Sequence, residues 1–208
     1  MIRDTPMRRW YYGKLLRGKA TMVSNETLPY FYALSENYGD PNDYLLEYEA
    51  GRLGLEAKQI YEVLLAQGPL DTLALRREAR LTSRDSNTRF ERALVELQRG
   101  LRILPVGVAE VGRWNYAFIY ELVDCWFPQV VEQARAIGRG QARAHLLDLY
   151  LKSVGAATEA QAAQLFHWRK DEVSKACAAL AAAGQATAIN NLAGEAGEWW
   201  AAAELRGR

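Results

Sequence analysis

An internal repeat is the strongest constraint on the fold of this 208-residue chain. The stretch from Leu55 to Leu122 reads as a helix, a turn, a short helix, a turn, a longer basic helix and two strands around a glycine turn. Gly140 to Leu205 repeats that order. Three helices followed by a two-stranded ribbon is the order of a winged helix, a variant of the helix-turn-helix. The sequence therefore predicts tandem winged helices in a mainly α, α+β chain with small antiparallel hairpins, an architecture that suggests work on nucleic acid.

The two copies align at nearly constant spacing. Gly68 corresponds to Gly155 at a spacing of 87, whereas the third helices align at a spacing of 83. That alignment pairs the apolar residues Phe90, Leu94 and Leu97 with Val173, Cys177 and Leu180. We expect these six residues to occupy equivalent core positions. The predicted domains are 1–50, a partial winged-helix-like segment with a connecting helix, 51–128, the first winged helix, and 139–205, the second.

Composition narrows the class of protein. Half of the residues are apolar, which indicates a globular chain. No apolar run is long enough to cross a membrane and the first residues lack a signal-peptide core, so we expect a cytoplasmic protein. Cys125 and Cys177 lie in apolar patterns and are interpreted as reduced core residues. His145 and His167 have no carboxylate at metal-binding spacing, and no phosphate-binding glycine loop is visible, so neither metal nor cofactor is expected.

The net charge is only +1, but the charges are sorted along the chain. Residues 1–20 carry six basic side chains against one acid, residues 21–50 carry six acids and no Lys or Arg, and residues 69–103 carry eight Arg against five acids. Local patches rather than the net charge decide whether a surface attracts phosphate. For the acidic stretch, surface ion pairing is the favoured explanation.

The third helix of the first repeat, Ser83 to Arg99, is the candidate for contact with DNA. An apolar stripe at Phe90, Leu94, Leu97 and Leu101 docks it on its neighbours. The residues that lie away from the stripe are Arg84, Asn87, Thr88, Arg92, Gln98 and Arg99. Such side chains suit phosphates and base edges. An ordinary solvated helix face explains the same pattern equally well.

The hairpin after this helix has two features of interest. Val111-Gly112-Arg113 forms its tip, which places the Arg113 cation where a wing would meet a phosphate. The aromatic residues Trp114, Tyr116, Phe118 and Tyr120 alternate along one strand face. They form either a base-stacking platform or, more commonly, a sheet face packed on helices.

The second repeat is poorer in charge and richer in alanine. Its third helix, Lys170 to Ala183, offers only Arg169, Lys170, Ser174 and Lys175 before a run of alanines, and the hairpin tip carries Glu195. Phosphate would be repelled by that tip. The composition favours packing against another surface, so a protein partner or a second copy of the chain is expected at the second winged helix.

Leu16 to Ser24 reads Leu-Arg-Gly-Lys-Ala-Thr-Met-Val-Ser and is followed by Leu28. It resembles the Met-Arg-Gly-Thr-Leu-His-Leu-Val-Pro stretch of the bacterial AlkZ/YcaQ-like family, crosslink-repair DNA glycosylases built from tandem winged helices and a C-terminal barrel. The resemblance extends through both repeats and implies a DNA-binding protein related to DNA repair.

The departures from the family pattern concern the chemistry. Family enzymes are longer and carry near their N-terminus a Gln-hydrophobic-Gln or Gln-hydrophobic-Asp motif that positions the attacking water. Here the chain begins after the place where that segment would stand, and no Gln-x-Gln or Gln-x-Asp occurs. Arg17 and Gly18 match the glycine motif, but Thr21 stands at its histidine position. Without a group to orient water, base excision has no identified agent, and no catalytic residue is assigned.

The favoured function is therefore a non-catalytic protein that binds double-stranded DNA, intact or damaged. The expected contact residues lie on the third helix, the wing and the N-terminal motif: Arg84, Asn87, Thr88, Arg89, Arg92, Arg113, Arg17 and Lys19. One alternative is an active divergent glycosylase of alkylated DNA that uses Thr21, Asp85 or Asn87. Another is a winged-helix protein-interaction module, because the fold alone specifies no activity.

Overall fold

The computed structural model describes residues 9–110, 116–192 and 195–205. The chain divides into two compact units, Met1–Gln133 and Ala134–Arg208. Its helices are α1 Leu28–Tyr32, α2 Asp43–Glu49, α3 Leu55–Gln67, α4 Thr72–Glu78, α5 Asn87–Arg99, α6 Val123–Trp126, α7 Pro128–Arg135, α8 Arg139–Val154, α9 Glu159–Phe166 and α10 Lys170–Ala182. The strands are β1 Trp10–Gly13, β2 Thr21–Ser24, β3 Leu70–Asp71, β4 Ile103–Glu110, β5 Tyr116–Leu122, β6 Ala156–Ala157, β7 Ala186–Leu192 and β8 Glu195–Ala202.

The same order of elements occurs twice. The series α3-β3-α4-α5-β4-β5 recurs as α8-β6-α9-α10-β7-β8, and the two sheets have the equivalent strand orders β3-β5-β4 and β6-β8-β7. The prediction of a mainly helical α+β chain with small antiparallel sheets is confirmed. The sequence predicts turns at the positions of the short strands β3 and β6. Each strand pairs with the last strand of its sheet, Leu70 with Tyr120 and Ala157 with Trp200. The three-domain division at 1–50, 51–128 and 139–205 stays a prediction.

Each copy of the repeat has its own apolar core. The six residues expected at equivalent positions are all buried: Phe90, Leu94, Leu97, Val173, Cys177 and Leu180. In α4, the side chain of Leu75 is buried and that of Leu73 is 57% exposed. Asp71 caps this helix by accepting from the N–H groups of Leu73 and Ala74. Residues two positions apart lie on nearly opposite sides of a helix, so burial of Leu75 turns Leu73 outward.

The third helix of the first repeat is shorter than predicted. A 3-10 turn, Arg84–Ser86, precedes α5, because the buried Ser86 hydroxyl donates to the carbonyl of Leu81 at 2.7 Å. Leu101, expected to extend the apolar stripe, is buried but lies beyond the helix with φ 53°. The amide of Asn37 holds it there by donating from Nδ2 to the Leu101 carbonyl at 2.8 Å.

The prediction that both cysteines are core residues is wrong for Cys125. Cys125 is exposed on α6, whereas Cys177 is buried in α10, where burial raises the pKa of its thiol to about 12. Within the described ranges, no cluster of three or more His, Cys, Asp or Glu side chains is placed to hold a metal ion. None of the helices in those ranges combines enough length and apolarity to cross a membrane.

A buried ion pair joins the connecting helix α2 to the first repeat. The guanidinium of Arg102 lies 2.5 Å from the carboxylate of Asp43, and both side chains are at most 5% exposed. Arg102 also donates to the carbonyl of Glu36 and stands over the ring of Tyr61. The N–H of Tyr38 donates to the second Asp43 oxygen at 2.7 Å. Removal of either charge would leave the other buried without compensation.

Replacement of Leu94 by Ala is expected to lower the free energy of unfolding by about 2–5 kcal/mol, because the leucine is buried and leaves a cavity. Chemical denaturation measures the loss. Leu73→Ala is the matched control, since that leucine is largely exposed, and it should change stability by no more than about 0.5 kcal/mol. Equal losses for the two variants would contradict the helix orientations.

Candidate nucleic-acid interface

The N-terminal hairpin β1–β2 turns at the Arg-Gly pair. Arg17 and Gly18 both have positive φ, 55° and 64°, and the N–H of Lys19 donates to the carbonyl of Leu16 at 2.9 Å. Positive φ at both central residues is typical of the tight turns that match the twist of a hairpin. The turn leaves the side chains of Arg17 and Lys19 exposed.

The hairpin is held against α5 by one buried glutamine. Gln98 accepts from the N–H of Lys14 through Oε1 at 3.1 Å, and its main-chain carbonyl accepts from the Tyr11 hydroxyl at 3.0 Å. Its Nε2 donates to the Leu94 carbonyl at 2.9 Å. Burial raises the pKa of Tyr11, so this hydroxyl remains a donor at neutral pH. Gly18 is in van der Waals range of α5, because a Cβ there would lie 3.7 Å from Val95 Cγ1.

Docking of the hairpin creates an open groove along α5, which we call the basic groove. It has a volume of ≈690 Å³, and its polar lining consists of Lys14, Thr88, Glu91, Arg92, Glu96 and Arg99. The cations outnumber the acids. One of the two acids is partly engaged, because Glu96 accepts from the Gly54 N–H at 2.8 Å. A groove with this lining suits a phosphate backbone.

The predicted contact residues lie in different parts of the structure: in the basic groove, beside α3 and at the start of α5. Thr88 and Arg92 line the basic groove. Arg89 points to α3, where its guanidinium lies 3.1 Å from the Glu56 carboxylate. Arg84 and Asn87 are exposed in the 3-10 turn and at the first residue of α5. Arg113 lies outside the described residues.

The third helices of the two repeats differ in how their cations are paired. In the second repeat, Arg169 and Lys175 both pair with Asp171, at 3.0 and 3.4 Å. In the first, Arg92 and Arg99 form no salt bridge with any other residue that the structure describes. A cation already paired with a carboxylate has less to offer a phosphate, so α5 is the stronger candidate for binding an anion.

The aromatic face of β5 is only partly packed. Tyr120 is buried, but Phe118 is 42% exposed and Tyr116 is 75% exposed. The more common outcome, a face fully covered by helices, is therefore wrong for Tyr116 and Phe118. Trp114 lies outside the described residues.

Thr21, the residue at the histidine position of the family motif, has a structural role. Its Oγ1 donates to the Lys19 carbonyl at 2.9 Å and accepts from the Leu16 N–H at 3.3 Å. Both bonds brace the turn that carries Arg17. A hydroxyl engaged in this way is not placed as a general base.

Comparison with known proteins gives a family. A model described as "AlkZ related" matches residues 5–167, well over half of the chain. The chain belongs to the AlkZ-related family. It is also similar in fold to a solved structure, the DNA glycosylase AlkZ of Streptomyces sahachiroi, with a TM-score of 0.54 at 14% sequence identity. That similarity covers 97% of this chain and 54% of the glycosylase, so the chain spans about half its length. No curated protein gives a significant match.

The matched range places the basic groove inside the AlkZ-related region. Residues 5–167 contain the hairpin, the Arg17–Gly18 turn and all of α5, whereas α10 begins at Lys170. Two residues of the site are not identified by the sequence pattern. Lys14 lines the groove but stands out in the sequence only as part of a basic segment. Gln98, predicted on the side of α5 away from the apolar stripe, is buried and bonds to the hairpin at Lys14. The position of Gln98 four residues after Leu94, at the border of the apolar stripe, was the available signal.

Replacement of Gln98 by Ala is expected to lower the free energy of unfolding by about 1–3 kcal/mol, because it leaves the Lys14 N–H without its acceptor. Amide exchange at Lys14 should become faster as the hairpin loosens. Gln129→Ala, on the exposed side of α7, is the control. Unchanged exchange at Lys14 in the Gln98 variant would show that the hairpin is held by other contacts.

Proposed function

We propose that this chain binds double-stranded DNA through the basic groove and the surfaces beside it. The two repeats would act as winged helices, and α5 would be the helix that approaches the duplex, since helix-turn-helix proteins present the N-terminal part of this helix to the major groove. Contacts are assigned to Thr88 and Arg92 in the groove, to Arg84 and Asn87 at the start of α5, and to the Arg17–Lys19 turn. Arg113, outside the described residues, stays a predicted contact.

The observation that carries the proposal is the unpaired charge on α5. Arg92 and Arg99 project into one groove with Lys14 and have no carboxylate partner among the described residues. Arginines that are already exposed and unpaired give up little solvation or pairing when they contact phosphate. Arg89 is a weaker candidate than the sequence suggested, because its ion pair with Glu56 competes with phosphate.

A role related to DNA repair follows from the family and from the named activity of the similar structure, a DNA glycosylase. We assign no glycosylase activity to this chain. The Thr21 hydroxyl is engaged in the turn, and the sequence contains no Gln-x-Gln or Gln-x-Asp motif to orient water. The chain would recognise DNA, intact or damaged, without cutting the glycosidic bond.

The second repeat supports a different role for α10. The alanines at 178, 179 and 181–183 are exposed, and two of the nearby cations, Arg169 and Lys175, are paired with Asp171. Small side chains allow close approach of another surface. We assign to this repeat a contact with a protein partner or with a second copy of the chain.

Duplex binding measured by fluorescence anisotropy at several salt concentrations tests the proposal. The wild type should bind with a logarithmic salt dependence, and Arg92→Ala should weaken binding of all sequences and reduce the slope by about one. Lys175→Ala, on α10, is the control and should bind like the wild type. The same mixtures with alkylated DNA should release no free base.

Three results would contradict this account. Absence of binding at low salt would remove the function altogether. Loss of binding in the Lys175 variant, with Arg92→Ala unaffected, would move the interface to α10. Catalytic release of base that is lost in Thr21→Ala would instead support a divergent glycosylase.

A further inference from the structure

A second groove lies beside β5 in the first unit, and we call it the aromatic groove. It has a volume of ≈430 Å³, within the range typical of small-molecule sites, and is lined by Lys14, Leu73, Glu91, Tyr116, Phe118 and Tyr120 among others. Lys14 and Glu91 line both grooves, so the two share a border.

The apolar lining of the aromatic groove is unusually exposed. Tyr116 is 75% exposed, Leu73 57% and Phe118 42%. The ring of Phe118 has two aromatic neighbours, since its centroid lies 6.4 Å from the centroids of the Tyr12 and Tyr120 rings. A cluster of large apolar side chains left open to solvent marks an interaction site rather than an ordinary surface.

The charged residues of the aromatic groove, Lys14 and Glu91, indicate which kind of ligand it would bind. Flat rings offer stacking to any planar π system, and the Lys14 cation in the lining favours an anionic ligand. The Glu91 carboxylate would repel a phosphate inside the groove but would accept hydrogen bonds from the exocyclic amino group of a base. A nucleobase that enters while its phosphate stays at Lys14 satisfies all three features, which neither a free phosphate nor a purely apolar ligand does.

We propose that the aromatic groove binds a single unpaired nucleobase of DNA whose duplex part occupies the basic groove. This inference rests on the proposed function and adds a substrate class to it: duplexes that contain an unstacked base. Tyr116 and Phe118 stack on the base, Glu91 accepts from its amino group, and Lys14 contacts the adjoining phosphate.

The test compares a duplex with the same duplex carrying one unpaired cytosine. Stacking of one base on aromatic side chains predicts about 5- to 150-fold tighter binding of the bulged DNA by the wild type. The double variant Tyr116→Ala/Phe118→Ala should lose this preference and keep the wild-type affinity for the perfect duplex. Because Phe118 also contacts the rings of Tyr12 and Tyr120, binding is compared at a temperature at which thermal unfolding shows both proteins folded. Tyr116→Ala alone, at a 75% exposed position, should weaken the preference with little change in thermal unfolding. Tyr48→Ala, an exposed tyrosine on α2 away from the groove, is the control.

Base identity tests the role of Glu91. An unpaired cytosine offers an amino donor and an unpaired thymine offers a carbonyl acceptor at the equivalent position. The wild type should bind the cytosine bulge more tightly than the thymine bulge. Glu91→Ala should abolish that difference, while both bulged duplexes still bind more tightly than the perfect duplex.

The outcomes separate this inference from the proposed function. Equal wild-type affinity for bulged and perfect duplexes, or a bulge preference that survives in the double variant, would overturn the aromatic groove as a base site while duplex binding through Arg92 still stands. If the wild type binds no DNA, both the base site and the proposed duplex binding are overturned. Self-association of the wild type that disappears in the double variant, with DNA affinities unchanged, would overturn the inference in favour of contact between copies of the chain.

Discussion

The candidate interface depends on the buried side chain of Gln98. Its hydrogen bond to Lys14 and the bond from Tyr11 to its carbonyl hold the N-terminal hairpin on α5 across more than eighty residues of sequence. Because the amide is buried, each bond that is lost leaves an uncompensated polar group. This attachment keeps the Arg17–Gly18 turn near Val95 and keeps Lys14, one of the two residues that the grooves share, in place beside α5.

The two repeats share a fold but differ in the surface of their third helix. Both have the same order of helices and the same sheet topology, and the residues that define their cores are equivalent. They differ in the surface of the third helix. Arg92 and Arg99 of α5 line a groove, whereas Arg169 and Lys175 pair with Asp171 and are followed by exposed alanines. One scaffold can therefore present an anion-binding surface in one copy and a packing surface in the other.

Periodicity in the sequence was sufficient to predict the cores but not the site. The spacing of Phe90, Leu94 and Leu97 identifies the buried side of α5, because that spacing is local. The ion pair of Arg89 with Glu56 and the burial of Gln98 depend on segments that meet only in the folded chain. The exposure of Leu73 is not evident from the sequence for a related reason: the cap at Asp71 and the packing of Leu75 set the rotation of a helix too short to show a clear pattern.

The central claim is that α5 and the hairpin turn form the DNA-binding surface. The most direct test is an NMR titration of the isotope-labelled chain with a short duplex, which follows each backbone amide. We expect the shifts to concentrate at Thr88, Arg92 and the Arg17–Lys19 turn, with α10 unchanged. Shifts confined to α10, or no shifts at saturating DNA, would contradict the claim.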